Sequence, residues 1–106
     1  MSGHTIIVAT DSDFDALIEN TDGPVLVDFW APWCTNCRQV TPLVERVAQE
    51  NDGLTVLTVD VESNPGVQRS CRVMSLPTVL MFDSGRESSR TTGFDNVREM
   101  LTDFAS

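Results

Sequence analysis

The sequence predicts an α/β fold in which helices cover both faces of a central mixed sheet. Strand-like runs alternate with helical periods along most of the chain, and a hairpin pattern follows near its end. Such alternation is typical of strands joined by helices, whereas a late hairpin adds antiparallel strands to the sheet. The predicted element order is β-α-β-α-β-α-β-β-α.

The first half of the chain is predicted to supply two strands and a helix. A first strand is predicted in "HTIIVAT" (residues 4–10), followed by a helix in "SDFDALIEN" with Ser12 as its N-cap. One face of this helix carries Phe14, Leu17 and Ile18. The breaker "DGP" then precedes "VLVDFW" (25–30), which is almost wholly apolar and indicates a central strand.

The second half is predicted to begin with a long helix that has one buried stripe. The stripe follows the helical spacing of Val40, Leu43, Val44, Val47 and Ala48. Pro42 is expected to kink this helix, and the glycine of "NDG" (51–53) is expected to end it. A central strand in "LTVLTVDV", a short helix from "SNPG" and a hairpin over 78–92 follow. A closing helix is indicated by Val97, Met100, Leu101 and Phe104.

Length and charge restrict the possible functions. A chain of 106 residues is long enough to bury a working core, and one domain is predicted over residues 1–106. Sixteen acidic residues, seven arginines and no lysine give a net charge of −9, which argues against nucleic acid or an anionic membrane as a partner. A solvated, self-repelling surface would explain the acidity. A host with high internal salt or arginine-favouring codons is the open alternative.

No targeting segment is visible in the sequence. No apolar run approaches the length of a membrane-spanning helix. The start, "MSGHTIIVAT", lacks a basic region followed by a long apolar core. A cytoplasmic, reducing location is therefore expected.

The cysteine count argues against two common uses of cysteine. The chain has three, Cys34, Cys37 and Cys71, and an odd small number does not suit a disulfide-stapled secreted scaffold. A lone C-x-x-C is half of a zinc site, and the one histidine, His4, is far away in sequence. No metal and no cofactor are therefore predicted.

Cys34 and Cys37 are placed at the start of a helix that directly follows a central strand. Residues three apart on a helix have Cα atoms about 5–6 Å apart, which allows a disulfide. Cys34 at the helix N-terminus would be an exposed thiol with a lowered pKa, whereas Cys37 would be shielded one turn inside. This asymmetry suits attack on a substrate disulfide by one thiol and release by the other. Two buried structural cysteines are the open alternative, which the preceding Pro32 and Trp33 make less favoured.

Several motifs resemble those of the thioredoxin family. They are "VLVDFWAPWCTNCRQVTPL", "DGLTVLTVDVESNPG", "SLPT" and "TTGF", in the family's order and over about residues 5 to 104. The resemblance implies a thioredoxin fold and reduction of disulfides in client proteins, with Cys34 attacking and Cys37 resolving. The implied partners are a thioredoxin reductase and disulfide-containing clients, and the chain is expected to be a monomer.

Further site residues follow from the residues and the resemblance together. Asp28 lies in an otherwise apolar strand, where burial should raise its pKa, and it matches the family's acid that deprotonates the resolving cysteine. A structural carboxylate at a strand end is the alternative. The resemblance also implies a cis peptide bond before Pro77. It further implies an apolar docking surface formed by Trp33, Leu76 and Gly93, with Trp30 packed beside the site.

The sequence departs from the family at several positions. Thr35-Asn36 replaces the usual Gly-Pro between the cysteines and is expected to tune the redox potential upward. Thr58 stands where a lysine is common, which puts the tuning of Asp28 in doubt. Arg38 keeps the charge of a frequent lysine, and Thr92 makes the docking rim more polar. Cys71, expected within the short third helix, is either a space-filling residue or a regulatory thiol.

Three other functions stay open at this stage. A thiol oxidant or isomerase on the same fold would differ in redox potential. A binding or chaperone subunit would not need its thiols, so substitution of Cys34 would spare its function. A metal-binding module is the third.

Overall fold

The computed structural model describes residues 6–105. In that range the chain forms five strands and four helices in the predicted order. They are β1 (Ile7–Val8), α1 (Phe14–Asn20), β2 (Pro24–Trp30), α2 (Thr35–Glu50), β3 (Thr55–Asp60), α3 (Pro65–Ser70), β4 (Thr78–Asp83), β5 (Arg86–Thr92) and α4 (Phe94–Ala105).

The strands form one mixed sheet in the order β1-β3-β2-β4-β5. β1, β3 and β2 are parallel, whereas β4 runs antiparallel to β2 and pairs with β5 in a hairpin. The hairpin turns at Ser84 and Gly85, which both have positive φ angles of 54° and 83° as a two-residue hairpin loop requires. The predicted mixed sheet is confirmed, with β2 at its centre.

Helices cover both faces of the sheet, as predicted. On one face, α1 and α3 contribute buried residues such as Phe14, Ile18 and Val67 to a core cluster. On the other face, the apolar stripe of α2 packs with Val97 and Leu101 of α4. Because side chains alternate along a strand, β2 directs Val27 and Phe29 into the first cluster and Leu26 into the second.

The first strand and the start of α1 differ from the prediction. Residues 4 and 5 of the predicted strand lie outside the described residues, and β1 itself is only Ile7–Val8 because the chain turns after the hydrogen bond from Ala9 to Thr58. Asp13, not Ser12, is the N-cap of α1. Its carboxylate accepts from the Thr10 amide at 2.7 Å, which stabilises the preceding turn, so the Ser12 prediction was wrong.

The end of α2 also differs from the prediction. The helix stops at Glu50, and Asn51 takes an extended conformation as its C-cap. Gly53 does not adopt a left-handed conformation, so a glycine-terminated end was the wrong prediction. The side chain of Asn51 instead donates to the Val47 carbonyl at 2.8 Å and satisfies an end group that a glycine cap would otherwise serve. Pro42 lies inside the helix as predicted.

Within residues 6–105, the helices are too short or too polar to cross a membrane.

Candidate active site

The two cysteines form a disulfide where β2 passes into α2. Cys34 is the N-cap of α2 and Cys37 lies in its first turn, with their Cα atoms 5.3 Å apart. The connection from β2 is tight, because the Cys34 amide donates to the Ala31 carbonyl at 3.0 Å. The amide of Cys37 donates to Sγ of Cys34 at 3.2 Å. The helix N-terminus therefore directs an N–H group at the first sulfur, which is the arrangement that stabilises a thiolate.

Both cysteines are more buried than the sequence suggested. Cys34 is 7% exposed and Cys37 is 1% exposed, and both belong to the core cluster on the α1/α3 face. The prediction of a shielded Cys37 is confirmed, but the prediction of an exposed Cys34 is wrong for this disulfide form. The reason is that Sγ of Cys34 lies back over the first turn of α2, against the Cys37 amide.

The loop before β4 packs on the same core cluster as the two cysteines. The Leu76–Pro77 peptide bond is cis, as predicted, and Leu76 packs against the cluster that contains both cysteines. The Pro77 carbonyl accepts from the Gly93 amide at 3.0 Å. Gly93 has φ +96°, and a Cβ atom there would have no neighbour within 4 Å. A glycine is thus required here by conformation, and it leaves open space beside the loop.

Two tryptophans flank the short segment that joins β2 to the disulfide: Trp30 is the last residue of β2, and Trp33 directly precedes Cys34. Trp33, directly before Cys34, is 67% exposed although it is a large apolar side chain. Trp30 is half-buried and packs against the cluster of the cysteines, as predicted. Sequence reasoning assigned only a charge to Arg38, yet its Nη1 donates to the Pro32 carbonyl at 2.6 Å and so ties this segment to α2.

Asp28 is a buried carboxylate on the central strand. It is 4% exposed, and its Oδ1 has no hydrogen-bond partner among the described residues. Burial raises the pKa of Asp28 from the ordinary 3.8 to about 7, which confirms the predicted direction. Asp28 and Thr58 line a surface pocket of about 310 Å³ together with Trp30 and Arg38. The carboxyl group is therefore near a route to solvent.

The remaining variant positions have defined places. Thr35 and Asn36 are exposed and form the first two residues of α2. Thr92 is exposed at the end of β5, within 3.4 Å of the Thr78 hydroxyl. Cys71 is the C-cap of α3 and not a residue within it, because the helix already ends at Ser70. Burial raises the pKa of the Cys71 thiol.

Among residues 6–105, no three His, Cys, Asp or Glu side chains are grouped to hold a metal ion.

A helix-capping disulfide at the end of a central strand, with a cis-proline loop whose Leu76 packs on the same core cluster, defines a thiol–disulfide oxidoreductase. The chain belongs to the thioredoxin family, since the family profile "Thioredoxin" matches residues 5–106. The resemblance, the fold and the class of activity, protein-disulfide reduction, are confirmed by this match and by curated relatives.

Three of those relatives are informative. The chain is 41% identical over 100 residues to a thioredoxin of Staphylococcus epidermidis. The aligned residues cover 91% of this chain and 94% of that relative. The chain is 38% identical, with the same coverage, to a thioredoxin of Staphylococcus aureus. It is 40% identical over 105 residues to a bifunctional thioredoxin reductase/thioredoxin of Mycobacterium leprae, covering 98% of this chain but 23% of that protein.

Proposed function

We propose that this chain reduces disulfides in client proteins, with Cys34 as the attacking thiol and Cys37 as the resolving thiol. The observation that carries the proposal is the position of Cys34 as the N-cap of α2, with the Cys37 amide donating to its sulfur. Unpaired N–H groups and the helix dipole at this end favour a thiolate, which is the nucleophile in disulfide exchange. Cys37, 1% exposed, is suited to the second step.

The reaction then has two exchanges. The Cys34 thiolate attacks one client sulfur, so that a bond between Cys34 and the client forms and the client disulfide breaks, releasing a client thiolate. Cys37 gives up its proton and attacks Sγ of Cys34. The Cys34–Cys37 disulfide forms, the mixed disulfide breaks and the second client thiolate leaves. The client gains two electrons, and the dithiol is oxidised to the disulfide of this structure.

Asp28 is proposed to accept the proton from Cys37. A group is an effective proton acceptor when its pKa lies near the working pH, and burial raises the pKa of Asp28 to about 7. The pocket that Asp28 lines supports exchange of that proton with solvent. Thr35 and Asn36, which supply the first turn between the two sulfurs, are proposed to tune the redox potential.

Clients are proposed to dock on Trp33, Leu76, Pro77 and Gly93. Trp33 offers an exposed apolar face beside Cys34, and the open space at Gly93 allows a close approach. The backbone of Leu76 is proposed to pair with an extended segment of the client. Such a surface suits polypeptide disulfides of varied sequence, because most of its contacts are apolar or main-chain.

A thioredoxin reductase is the proposed source of electrons. The Mycobacterium leprae relative is named for a reductase and a thioredoxin within one protein, which supports such a pairing. We further propose that this chain acts as a monomeric single domain, residues 1–106, in the cytoplasm, with neither nucleic acid nor membranes as partners. The net charge of −9 supports the last point.

Trapping of a mixed disulfide tests the assignment of the thiols. The experiment uses a Cys71→Ser background so that the third thiol cannot react. With Cys37→Ser added, incubation with a disulfide-bonded protein should give a covalent complex that dithiothreitol releases, because the resolving step is absent. With Cys34→Ser added, no complex should form. Trapping by the Cys34→Ser variant alone would reverse the roles. Undiminished non-covalent binding of the client by the Cys34→Ser variant, with no complex trapped by either variant, would support the thiol-independent binding or chaperone function.

A further inference from the structure

Arg90, on the edge strand β5, is tied to the end of α3. Its Nη2 donates to the Cys71 carbonyl at 2.7 Å and its Nη1 donates to the Arg72 carbonyl at 3.0 Å. The other edge of the guanidinium binds Glu87, with Nε to Oε2 at 2.8 Å and Nη2 to Oε1 at 2.9 Å. One planar side chain thus holds a carboxylate and two carbonyls at once, which its fixed fork geometry allows and a lysine could not reproduce.

The two carbonyls belong to a chain reversal with an unusual backbone. Cys71 is the C-cap of α3, and Arg72 has φ +55°, a left-handed conformation that is uncommon for a residue other than glycine. Carbonyls at a helix C-terminus lack helical partners and carry partial negative charge, so a cation is favourable there. Arg90 supplies that cation.

The reversal leads directly into the loop that carries Leu76 and Pro77. The far end of the same loop is also held by β5, because Thr78 pairs with Thr92 and the Gly93 amide donates to the Pro77 carbonyl. One strand therefore fixes the segment 71–78 near both of its ends. Gln68 adds a third attachment through its side chain, which donates to the Val73 carbonyl at 3.2 Å.

We infer that Arg90 is a positioning residue for client docking: its contacts with Cys71 and Arg72 set where Leu76 lies relative to the disulfide. This inference rests on the proposed docking of clients at Leu76. Glu87 orients the guanidinium, and its two hydrogen bonds from Arg90 hold the pKa of Glu87 below its usual value, so that it stays ionised. Among the described residues, the hydrogen bonds of Arg90 go to Glu87, Cys71 and Arg72, and not to the reacting groups Cys34 and Cys37.

The test compares a protein disulfide with a small one. Reduced Arg90→Gln protein is mixed with insulin, and separately with the small disulfide 5,5′-dithiobis(2-nitrobenzoate), and tryptophan fluorescence follows oxidation. We expect the rate constant with insulin to fall roughly three- to tenfold, and that with the small disulfide to be unchanged. Amide hydrogen exchange in residues 72–77 should become faster. Arg90→Lys should also reduce insulin slowly, because lysine keeps the positive charge but lacks the planar set of N–H donors of the guanidinium group.

Two comparison variants separate the possible failures. Arg86→Gln removes the same charge from the same strand and should leave both rates unchanged. Trp33→Ala should slow insulin reduction through the docking surface itself. If Trp33→Ala slows insulin reduction and Arg90→Gln does not, or if Arg90→Gln slows both disulfides equally, the role of Arg90 is refuted while the docking surface stands. If Trp33→Ala has no effect, the proposed docking surface fails, and the inference about Arg90 fails with it.

Discussion

Asp28 and Thr58 lie directly opposite each other on the neighbouring parallel strands β2 and β3. Both side chains line the same pocket, and Oδ1 of Asp28 has no hydrogen-bond partner within the described part of the chain. Threonine brings no charge to this position. Nothing on β3 at this point therefore offsets the desolvation that raises the pKa of Asp28 to about 7.

A cation at position 58 is expected to lower the pKa of Asp28. In Thr58→Lys the ammonium group would stand beside the carboxylate and favour its charged form, by about 1 pKa unit or more. Thr58→Met is the matched control, since methionine has a similar length and no charge. Carbon-13 NMR titration of the Asp28 carboxyl in the disulfide form measures the effect. An equal fall in both variants would show that altered solvation, and not charge, controls this pKa.

Removal of the Asp28 charge is expected to change how stability depends on pH. The unfolded carboxyl ionises near 3.8 and the folded one near 7. Between about pH 4 and pH 7 the folded state thus holds the extra proton, and its free energy of unfolding falls as pH rises, by up to about 1.4 kcal/mol per unit. The loss is complete above about pH 7, on the order of 4 kcal/mol.

The Asp28→Asn variant cannot ionise and should lack this loss. Urea unfolding at several pH values should show that the free energy of unfolding of the variant rises relative to that of the parent protein between pH 4 and pH 8. Asp22→Asn, which removes an exposed carboxylate, controls for the change in net charge. A stability difference between Asp28→Asn and the parent that stays constant with pH would contradict a raised pKa.

The parts of the fold that the sequence predicted well are those decided by burial. The apolar run of β2 and the stripe of α2 follow directly from which side chains leave water, and Asp28 was recognised because a carboxylate is costly in such a run. Helix ends were predicted less well. The caps at Asp13 and Asn51 depend on competition between neighbouring polar side chains for the same backbone groups, which residue preference alone does not decide.

The features of the active site also separate into those that local sequence predicts and those that depend on residues distant in sequence. The cysteine spacing predicted the disulfide, because it depends on local helix geometry. The contact of Arg90 with the Cys71 carbonyl joins residues 19 apart in sequence, and nothing in the pattern around either residue marks it. Sheet order is also non-local, so neither it nor the burial of Cys34 could be read from the chain.

Loss of the Asp11 carboxylate is expected to destabilise the start of α3. Asp11 lies before α1, yet its carboxylate accepts from the Val67 amide at 2.7 Å and the Gly66 amide at 3.2 Å. It therefore serves two of the unpaired amides of α3. Asp11→Ala should lower the free energy of unfolding by about 1–2 kcal/mol, as loss of a cap does, and Asp11→Asn by less because one oxygen remains. Denaturant titration measures both, and equal losses would argue against capping.

The reduction potential is expected to lie above the roughly −270 mV typical of thioredoxins, because Asn36 keeps an N–H in the first turn of α2 that a proline would remove. An additional unpaired N–H at the N-terminus of α2, the end that Cys34 caps, favours the thiolate and so the reduced form. The double variant Thr35→Gly/Asn36→Pro should therefore have a lower potential, and each 30 mV of difference corresponds to about 1.4 kcal/mol. Equilibration with thiol–disulfide buffers, followed by the fluorescence of Trp30 and Trp33, gives both values.

Thr35→Gly alone is the control, since it leaves the Asn36 amide in place and should shift the potential less. A parent value near −200 mV would favour the oxidant or isomerase reading, and equal potentials for parent and double variant would show that Thr35-Asn36 does not tune the pair.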